Sequence, residues 1–336
     1  MSTRIAVTGA GGFVMSVFIR HHLRHHPDAE VLALDITEPD EDLRAYLADV
    51  AARVEFRRCD VRDASAVTEL LTGYRPRAVV HGATVTHVPR WEREDPGRFL
   101  DVNVMGTSAV LDAARRTPSV QRVVHISSAA VYGAGTPGRE DPQDEDTPLV
   151  PDEMYGVSKV SSELVARRFA DLYGLAVPIV RFTKVFGPME RPTSSRTAMS
   201  LPYHLARAAA AGRPLTVTPR TLRAAGDWIS AVDVADALDR LCAGTGPGSG
   251  SAVLNLASGS LTPVPELVDL FGTTVVTGTG AEAVDMDPLP RTGKNGTYAI
   301  HRAADLLGWR PRDLRRQVAE YRDWAVSHRD TPALRA

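Results

Sequence analysis

Cysteine is scarce. Only Cys59 and Cys242 occur in the 336 residues. That is too few for a disulfide framework, so a reducing compartment is expected. Long apolar runs are missing too. No stretch approaches the ~20 residues of a membrane span, and no membrane partner is expected. One basic residue, Arg4, precedes Ile5-Ala6-Val7, and the run passes straight into glycines. That is the pattern of a first strand rather than a signal peptide, so the expected location is cytoplasmic. Neither charge sign dominates: 39 Lys and Arg face 41 Asp and Glu, a formal net charge of −2. This balance argues against a nucleic-acid partner held by bulk positive charge. It argues equally against an acidic disordered chain. What remains is a chain that is 43% hydrophobic, with 26 Gly and 23 Pro. Its length suits about two domains whose cores need no covalent staple.

Apolar runs of strand length alternate with longer helical patterns. Strands are expected at Arg4–Thr8, Val31–Asp35, Val54–Cys59, Ala78–His81, Arg122–Ser127 and Val177–Thr183. Helices are expected near Phe13–His25, Ala64–Leu71, Asp95–Arg116 and Tyr155–Tyr173. After Gly187 the pattern loosens. Helices at Met199–Ala211 and Val232–Ala243 mix with short strands at Leu215–Val217, Asp227–Ser230 and Val253–Ala257. Shorter C-terminal helices are expected at Pro265–Phe271 and Ala303–Leu307, and a longer one at Pro311–Ser327. No internal repeat is present. The alternation predicts an α/β fold, a Rossmann-like doubly wound parallel sheet with right-handed crossovers. A smaller C-terminal α/β domain follows it, with a boundary at Gly187-Pro188 and some later strands returning to the first sheet. The run Glu140–Asp146 is read as a solvated acidic loop.

Thr8-Gly9-Ala10-Gly11-Gly12-Phe13 follows a strand and opens a helix. Glycines there let the backbone approach a pyrophosphate, and the helix start offers N–H donors and partial positive charge. Gly9, Gly11, Gly12, Phe13 and Val14 are therefore candidate cofactor contacts. Asp35 ends the second strand and can accept hydrogen bonds from a ribose 2′-hydroxyl while repelling a 2′-phosphate. No Arg follows it closely, which favours NAD over NADP. A third glycine would be expected at Met15, where the helix packs tightly on the sheet.

Tyr155 and Lys159 stand four residues apart at a helix start, on one face. A phenol is a poor base at neutral pH. A neighbouring ammonium favours the phenolate. The Tyr can then exchange the proton of a substrate alcohol while hydride moves to or from a nicotinamide. Ser128, just after a strand, can hydrogen-bond the same oxygen. Tyr155, Lys159 and Ser128 are the candidate catalytic set, and Tyr155 and Lys159 are candidate cofactor contacts as well, with Lys159 at the nicotinamide ribose.

These motifs together resemble the extended short-chain dehydrogenase/reductase superfamily, and within it the NAD-dependent epimerase/dehydratase family that acts on nucleotide sugars. The resemblance covers most of the chain. Cys59-Asp60-Val61-Arg62-Asp63 looks like the family's adenine-contacting strand end, which implies cofactor roles for Asp60 and Val61. His81-Gly82-Ala83 is similar to a segment lining the cofactor. Asp101-Val102-Asn103-Val104-Met105-Gly106-Thr107 resembles a helix whose Asn, here Asn103, serves the cofactor site. Ser127-Ser128-Ala129-Ala130-Val131-Tyr132-Gly133 matches a Ser-then-Val-Tyr-Gly signature. Arg181–Pro188 and Leu307–Pro311 resemble the entry to the substrate domain and a C-terminal signature. His87, Arg90 and Trp91 follow the fourth strand, where the family begins to contact substrate.

The departures bear on the reaction. Dehydratases of the family carry Asp-Glu directly after the catalytic hydroxyl, where this chain has Ala129 and Ala130. Without a carboxylic acid to protonate the leaving hydroxyl, 4,6-dehydration is not expected. Lys184 replaces a diphosphate-binding Asn, and Gly226 replaces an Arg, although Arg220 and Arg223 lie close in sequence. Arg291 matches a diphosphate-binding Arg. Lys184, Arg220, Arg223 and Arg291 are expected to gather around a small anionic substrate. The helices Asp95–Arg116 and Tyr155–Tyr173 resemble the family's dimer-forming pair, so a homodimer is expected. His21, His22, His25 and His26 form two i, i+4 pairs whose spacing suits zinc. A solvated helix end, where cations complement the dipole, is the simpler reading, and no metal is expected.

The reading is an NAD-binding domain over 1–187, joined by about 224–258. A substrate-binding domain is formed by 188–223 and 259–336. The expected activity is an NAD-dependent epimerase on a nucleotide-sugar-type substrate, passing through a transient keto form. The alternative is an NAD-dependent dehydrogenase or ketoreductase on another anionic or secondary-metabolite substrate. A non-catalytic NAD-binding regulator is a third reading, opposed by the intact Ser128, Tyr155 and Lys159.

Overall fold

The computed structural model of the protein describes residues 3–135, 141–246, 248–286, 293–329 and 331. Ile5-Ala6-Val7, Val79-Val80 and Val123-Val124 show no polar alternation and are fully buried, as strands covered on both faces require. They belong to β1 (Arg4–Thr8), β2 (Glu30–Asp35), β3 (Val54–Arg58), β4 (Ala78–His81), β5 (Arg122–Ser128) and β6 (Ile179–Phe182). Further along come β7 (Lys184–Phe186), β8 (Leu215–Val217), β9 (Ala225–Gly226) and β10 (Trp228–Ser230). The last described strands are β11 (Val253–Leu256), β12 (Thr262–Pro263) and β13 (Val275–Thr277).

Seven strands form one parallel sheet in the order β11-β6-β5-β4-β1-β2-β3. On one face Ile5 and Val7 share a core with Phe18 and Leu23 of the helix Phe13–His25. Val234 and Leu238 of the helix Ala231–Cys242 complete it. On the other face Ala6 shares a core with Leu71, Val110, Leu111 and Ala166. These come from the helices Ala64–Tyr74, Gly106–Arg116 and Met154–Tyr173. Residue 6 faces away from residues 5 and 7 because side chains alternate along a strand. The strand order reverses between β1 and β4, and ligands of such sheets bind beyond the carboxyl ends at that reversal.

A third core packs Leu205, Val264, Leu267, Phe271, Val318 and Tyr321 around Phe186 and Trp228. Its strand pairs are short: β10 with β7, β12 with β9, and β13 with β8. Of the strands within 224–258, β11 extends the main sheet beside β6, whereas β10 pairs with β7 outside it.

Two elements differ from the sequence reading. The helix expected near Asp95–Arg116 runs from Gly97 to Arg116 with a π-helical turn inside it and a separate short helix before it. A short helix, Pro89–Glu94, ends first, and a new one starts at Gly97 after Pro96. Proline lacks an N–H and has a fixed φ, so it opens a helix more readily than it continues one. Asp101–Met105 then forms a π-helical turn carrying Asn103. The acidic run is not a solvated loop either. Residue 140 lies outside the described residues, but Gln143 and Glu145 are buried. Glu145 Oε1 accepts from the Asn255 backbone at 2.8 Å. Sequence showed the charge; the β11 partner that takes it inside is 110 residues away.

Candidate active site

A cleft of about 620 Å³ opens where β1 and β4 diverge, within the usual ~300–1,000 Å³ of small-molecule sites. Gly9 has φ +68°, and a Cβ there would lie 2.7 Å from the Ala83 backbone nitrogen. Only glycine permits this close approach of the first turn to β4. Gly12 precedes the helix Phe13–His25, whose first turn has no acidic residue and no side-chain cap. The helix start is therefore left positive, and Gly12, Phe13 and Val14 line the cleft. Met15, where a third glycine was expected, lies across Gly82. A Cβ on Gly82 would sit 2.5 Å from the Met15 sulfur. The space a helix glycine would have left is supplied from the strand side.

Asp35 lines the cleft at the end of β2. Its Oδ2 accepts from the Gly11 backbone at 2.9 Å, and its Oδ1 from the Thr37 backbone and hydroxyl at 3.1 Å. Gly11 itself is outside the cleft lining and instead fixes the Asp35 carboxylate. Asp60 and Val61 line the same end. Hydrogen bonds from Arg62 hold the Asp60 carboxyl below the usual carboxylate range.

At the other end, Ser128 closes β5 and its Oγ accepts from the Ala130 backbone at 3.2 Å. Tyr155 and Lys159 project from the first turns of Met154–Tyr173, and all three line the cleft. Burial raises the Tyr155 phenol, while a hydrogen bond with the Ser128 side chain pulls it back. Lys159 lies 5.8 Å from the Tyr155 ring centre, and its Nζ donates to the Ile126 carbonyl at 3.0 Å. Burial pushes its ammonium down to about 8, opposed by the nearby Glu163 carboxylate. Desolvation is the largest influence on the phenol here, whereas the expected lowering by Lys159 concerns the site with an oxidised nicotinamide bound.

Several predicted contacts sit elsewhere. His81 and Asn103 are buried behind the cleft and outside its lining. His81 bridges Thr8 and Thr107 through its two ring nitrogens, at 2.8 and 3.0 Å. Asn103 accepts from the Val85 backbone and donates to the Val85 carbonyl and Ser158 Oγ. It ties the β4 loop to the helix of Tyr155 and Lys159, a positioning role. Ala83 and Gly82 do line the cleft. Arg90 is an exposed side chain paired with Glu94 at 3.4 Å, outside the lining. Arg223 also lies outside it, and Arg220 pairs with Asp285. A carboxylate 65 residues along the chain, itself in the cleft lining, holds Arg220. Arg291 lies outside the described residues. His87 lines the cleft, with Nδ1 3.5 Å from Glu153 and 3.7 Å from Glu92.

Lys184 lines the cleft as expected, with Nζ 3.2 Å from Asn295 Oδ1. No carboxylate among the described residues forms an ion pair with it. Burial lowers its ammonium, and repulsion by Lys294 adds to this. Sequence reasoning missed its neighbours. The Thr183 hydroxyl and Trp228 Nε1 are buried in the same lining without partners among the described residues. Trp228 is in register with Lys184 across the β10–β7 pair. Gly226 makes room for both: a Cβ there would meet the indole at 2.6 Å and Lys184 Cδ at 2.9 Å. Arg191 was missed too. It lines the cleft, holds Asp40 and donates to the Gly11 carbonyl at 3.4 Å. No local signal marks it, because its partners are about 150 and 180 residues distant.

The uncapped helix start, the fixed Asp35 carboxylate and the lining that runs to Ser128, Tyr155 and Lys159 fit a nicotinamide dinucleotide. Sheet order and site together define an extended short-chain dehydrogenase/reductase. A model of the NAD-dependent epimerase/dehydratase family matches residues 5–257, and the chain belongs to that family, whose cofactor is NAD. It is 30% identical over 311 residues to a UDP-glucose 4-epimerase of Mycolicibacterium smegmatis, covering 92% of this chain and 93% of that one. It is 32% identical to a dTDP-glucose 4,6-dehydratase of Streptomyces antibioticus, covering 97% of this chain and 93% of that one. The crystal structure of DesIV, a dTDP-glucose 4,6-dehydratase of Streptomyces venezuelae with NAD bound, superposes with a TM-score of 0.78. Identity there is 28%, over 99% of this chain and 100% of that one. Both reaction names occur among the relatives, so the choice between them rests on this chain's own residues.

Proposed function

We propose that the protein is an epimerase of nucleotide-sugar-type substrates, working by reversible oxidation of a carbinol. The observation that carries the reading is the Ser128–Tyr155–Lys159 set at one end of the cleft, with alanines at 129 and 130. NAD supplies the hydride acceptor and later the donor. Tyr155 takes the carbinol proton and returns it. Ser128 holds the substrate oxygen by hydrogen bonding, and Lys159 supplies positive charge beside the phenolate. Gly9, Gly12, Phe13, Val14, Asp35, Asp60, Val61, Gly82 and Ala83 would hold the cofactor, with Gly11, His81 and Asn103 fixing their positions. Lys184 Nζ, the Thr183 hydroxyl and Trp228 Nε1 offer polar contacts to the anionic part of the substrate. His87 stands at the substrate side.

The carboxyl groups support epimerisation over dehydration. Among the described lining residues they are Asp35, Asp60 and Asp285. Asp35 and Asp60 stand at the end assigned to adenosine. Hydrogen bonds from Arg220 and Thr218 bring Asp285 down to about 2. None is placed to remain a protonated acid beside Ser128. A second reading, net dehydrogenation, is favoured by Gly226, where Trp228 and Lys184 fill the space an Arg would need.

A panel of UDP- and dTDP-sugars tests these readings, with product stereochemistry, product mass and NADH absorbance followed together. Inversion at constant NADH and unchanged mass is the expected outcome. Loss of one water would establish a dehydratase, and NADH accumulating with a keto product would establish the dehydrogenase. At the cofactor end, Asp35→Ser is expected to weaken NAD binding by about 10–100-fold, the value of hydrogen bonds to a charged group. Unchanged affinity by titration calorimetry would remove Asp35 from the ribose.

We also propose a homodimer through the helices Gly106–Arg116 and Met154–Tyr173 and the turn before them. Met105 and Leu164 are each 60% exposed; Leu100 is exposed in the helical turn leading into Gly106–Arg116, and Val157, Leu172 and Tyr173 on Met154–Tyr173. Such clustering of large apolar side chains marks an interface. Leu164→Glu is expected to yield monomer by light scattering, and a wild-type protein that is itself monomeric would dismiss the interface.

A further inference from the structure

Of the four histidines at the end of the helix Phe13–His25, one is turned inward and the others remain partly or fully solvated. His22 is only 3% exposed. Its Nδ1 lies 2.5 Å from Asp239 Oδ1, on the facing helix Ala231–Cys242. His26 Nε2 lies 2.9 Å from Asp239 Oδ2 and 3.1 Å from Oδ1. One ligand atom from each of the three residues falls within 4.8 Å of the others. His26 is 41% exposed in its side chain and Asp239 14%, so one side of the cluster is open to solvent.

The geometry points to a divalent transition-metal site, of zinc type, formed by His22, His26 and Asp239 and bridging two helices behind the sheet. Two imidazoles four residues apart on a helix, with a carboxylate from a second element, are ligands of the softness zinc prefers. Zinc bonds of ~2.0–2.2 Å at tetrahedral angles separate ligand atoms by about 3.3 Å. The carboxylate–imidazole spacings of 2.5 to 3.1 Å are short of that by less than about 1 Å, and no ligand atom of the three lies more than 4.8 Å from another. Removing the two bridging protons and opening the group by that amount would admit the ion. The open side leaves a fourth position for water.

The neighbouring histidines give an internal control. His21 and His25 stack at 4.1 Å between ring centres, and His25 Nδ1 lies 2.8 Å from the His21 carbonyl. That pair has no carboxylate hydrogen-bonded to it among the described residues. The site also has a mechanical consequence. The helix it would brace is the one whose first turn lines the cofactor cleft, and its partner helix shares the same core.

The test uses full-length protein without an affinity tag, stripped by chelator and titrated with Zn²⁺ alone. We expect one equivalent by calorimetry. At a hundredfold excess over Kd, Tm should rise by about 4 °C. Co²⁺ should give the visible bands of a four-coordinate ion. His26→Gln and Asp239→Asn should each weaken binding at least tenfold, while His25→Gln leaves it unchanged. Circular dichroism and NAD binding verify that the variants fold. Absence of one-to-one binding overturns the site. So does affinity that survives Asp239→Asn or is lost in His25→Gln.

Discussion

Tyr155→Phe is expected to lower kcat by about 10²–10⁴-fold, the range for a positioned acid–base group, while NAD binds with unchanged affinity. The phenol is hydrogen-bonded to Ser128 and backed by an ammonium. Phe keeps the ring, its packing and its distance from Lys159, and removes only the proton carrier. Stopped-flow oxidation of substrate and calorimetry with NAD measure the two quantities separately. Near-normal turnover would take Tyr155 out of the mechanism. A parallel loss of NAD affinity would instead assign it to the cofactor.

The largest stability effect should come from Glu163, one turn beyond Lys159. Glu163 and Arg181 are 1% and 0% exposed and form a two-armed pair at 2.9 and 2.7 Å. Ser127 Oγ also donates to Glu163 Oε1 at 2.6 Å. Arg181 Nη1 in turn donates to the Tyr132 hydroxyl at 2.9 Å, and Tyr132 donates to Asn255 Oδ1 at 2.8 Å. The chain of bonds joins β5, β6, β11 and the catalytic helix. Removing one charge leaves the other buried and uncompensated, which costs about 3–5 kcal/mol. Glu163→Gln should therefore lower Tm by about 4–7 °C in a chain of this length. The double variant Glu163→Leu with Arg181→Met should recover much of that loss, because an apolar pair of similar volume needs no compensation. A double variant no better than the single would show that the hydrogen bonds to Ser127 and Tyr132, and not the uncompensated charge, hold the region.

Much of this was legible in the chain. β1 and the turn after it follow from an unbroken apolar run ending in glycines, since period and glycine conformation are local properties. Tyr155 and Lys159 could be paired by spacing alone, because helix geometry fixes residues four apart. The helix following Pro96 was legible as well, whereas its π turn at Asp101–Met105 and the short helix before it were not. What sequence could not show is which distant group meets each polar side chain. Asn103 and His81 looked like cofactor contacts, yet their hydrogen bonds go to the protein itself. Arg220 looked available to an anion but pairs with Asp285.

The sequence by itself determined the order of strands and helices, the glycine turn, Asp35 at its strand end and the catalytic spacing. Each depends on backbone preferences that act over a few residues. Tertiary structure alone decided that β11 joins the main sheet while β10 does not, that Met15 is accommodated by Gly82, and that Trp228 and Lys184 share the cleft wall over Gly226. It also turned His22 inward to Asp239, 217 residues away. These outcomes depend on which surfaces exclude water together, and burial makes every unpaired charge or donor costly. A pattern along the chain lists such groups, and only packing selects their partners.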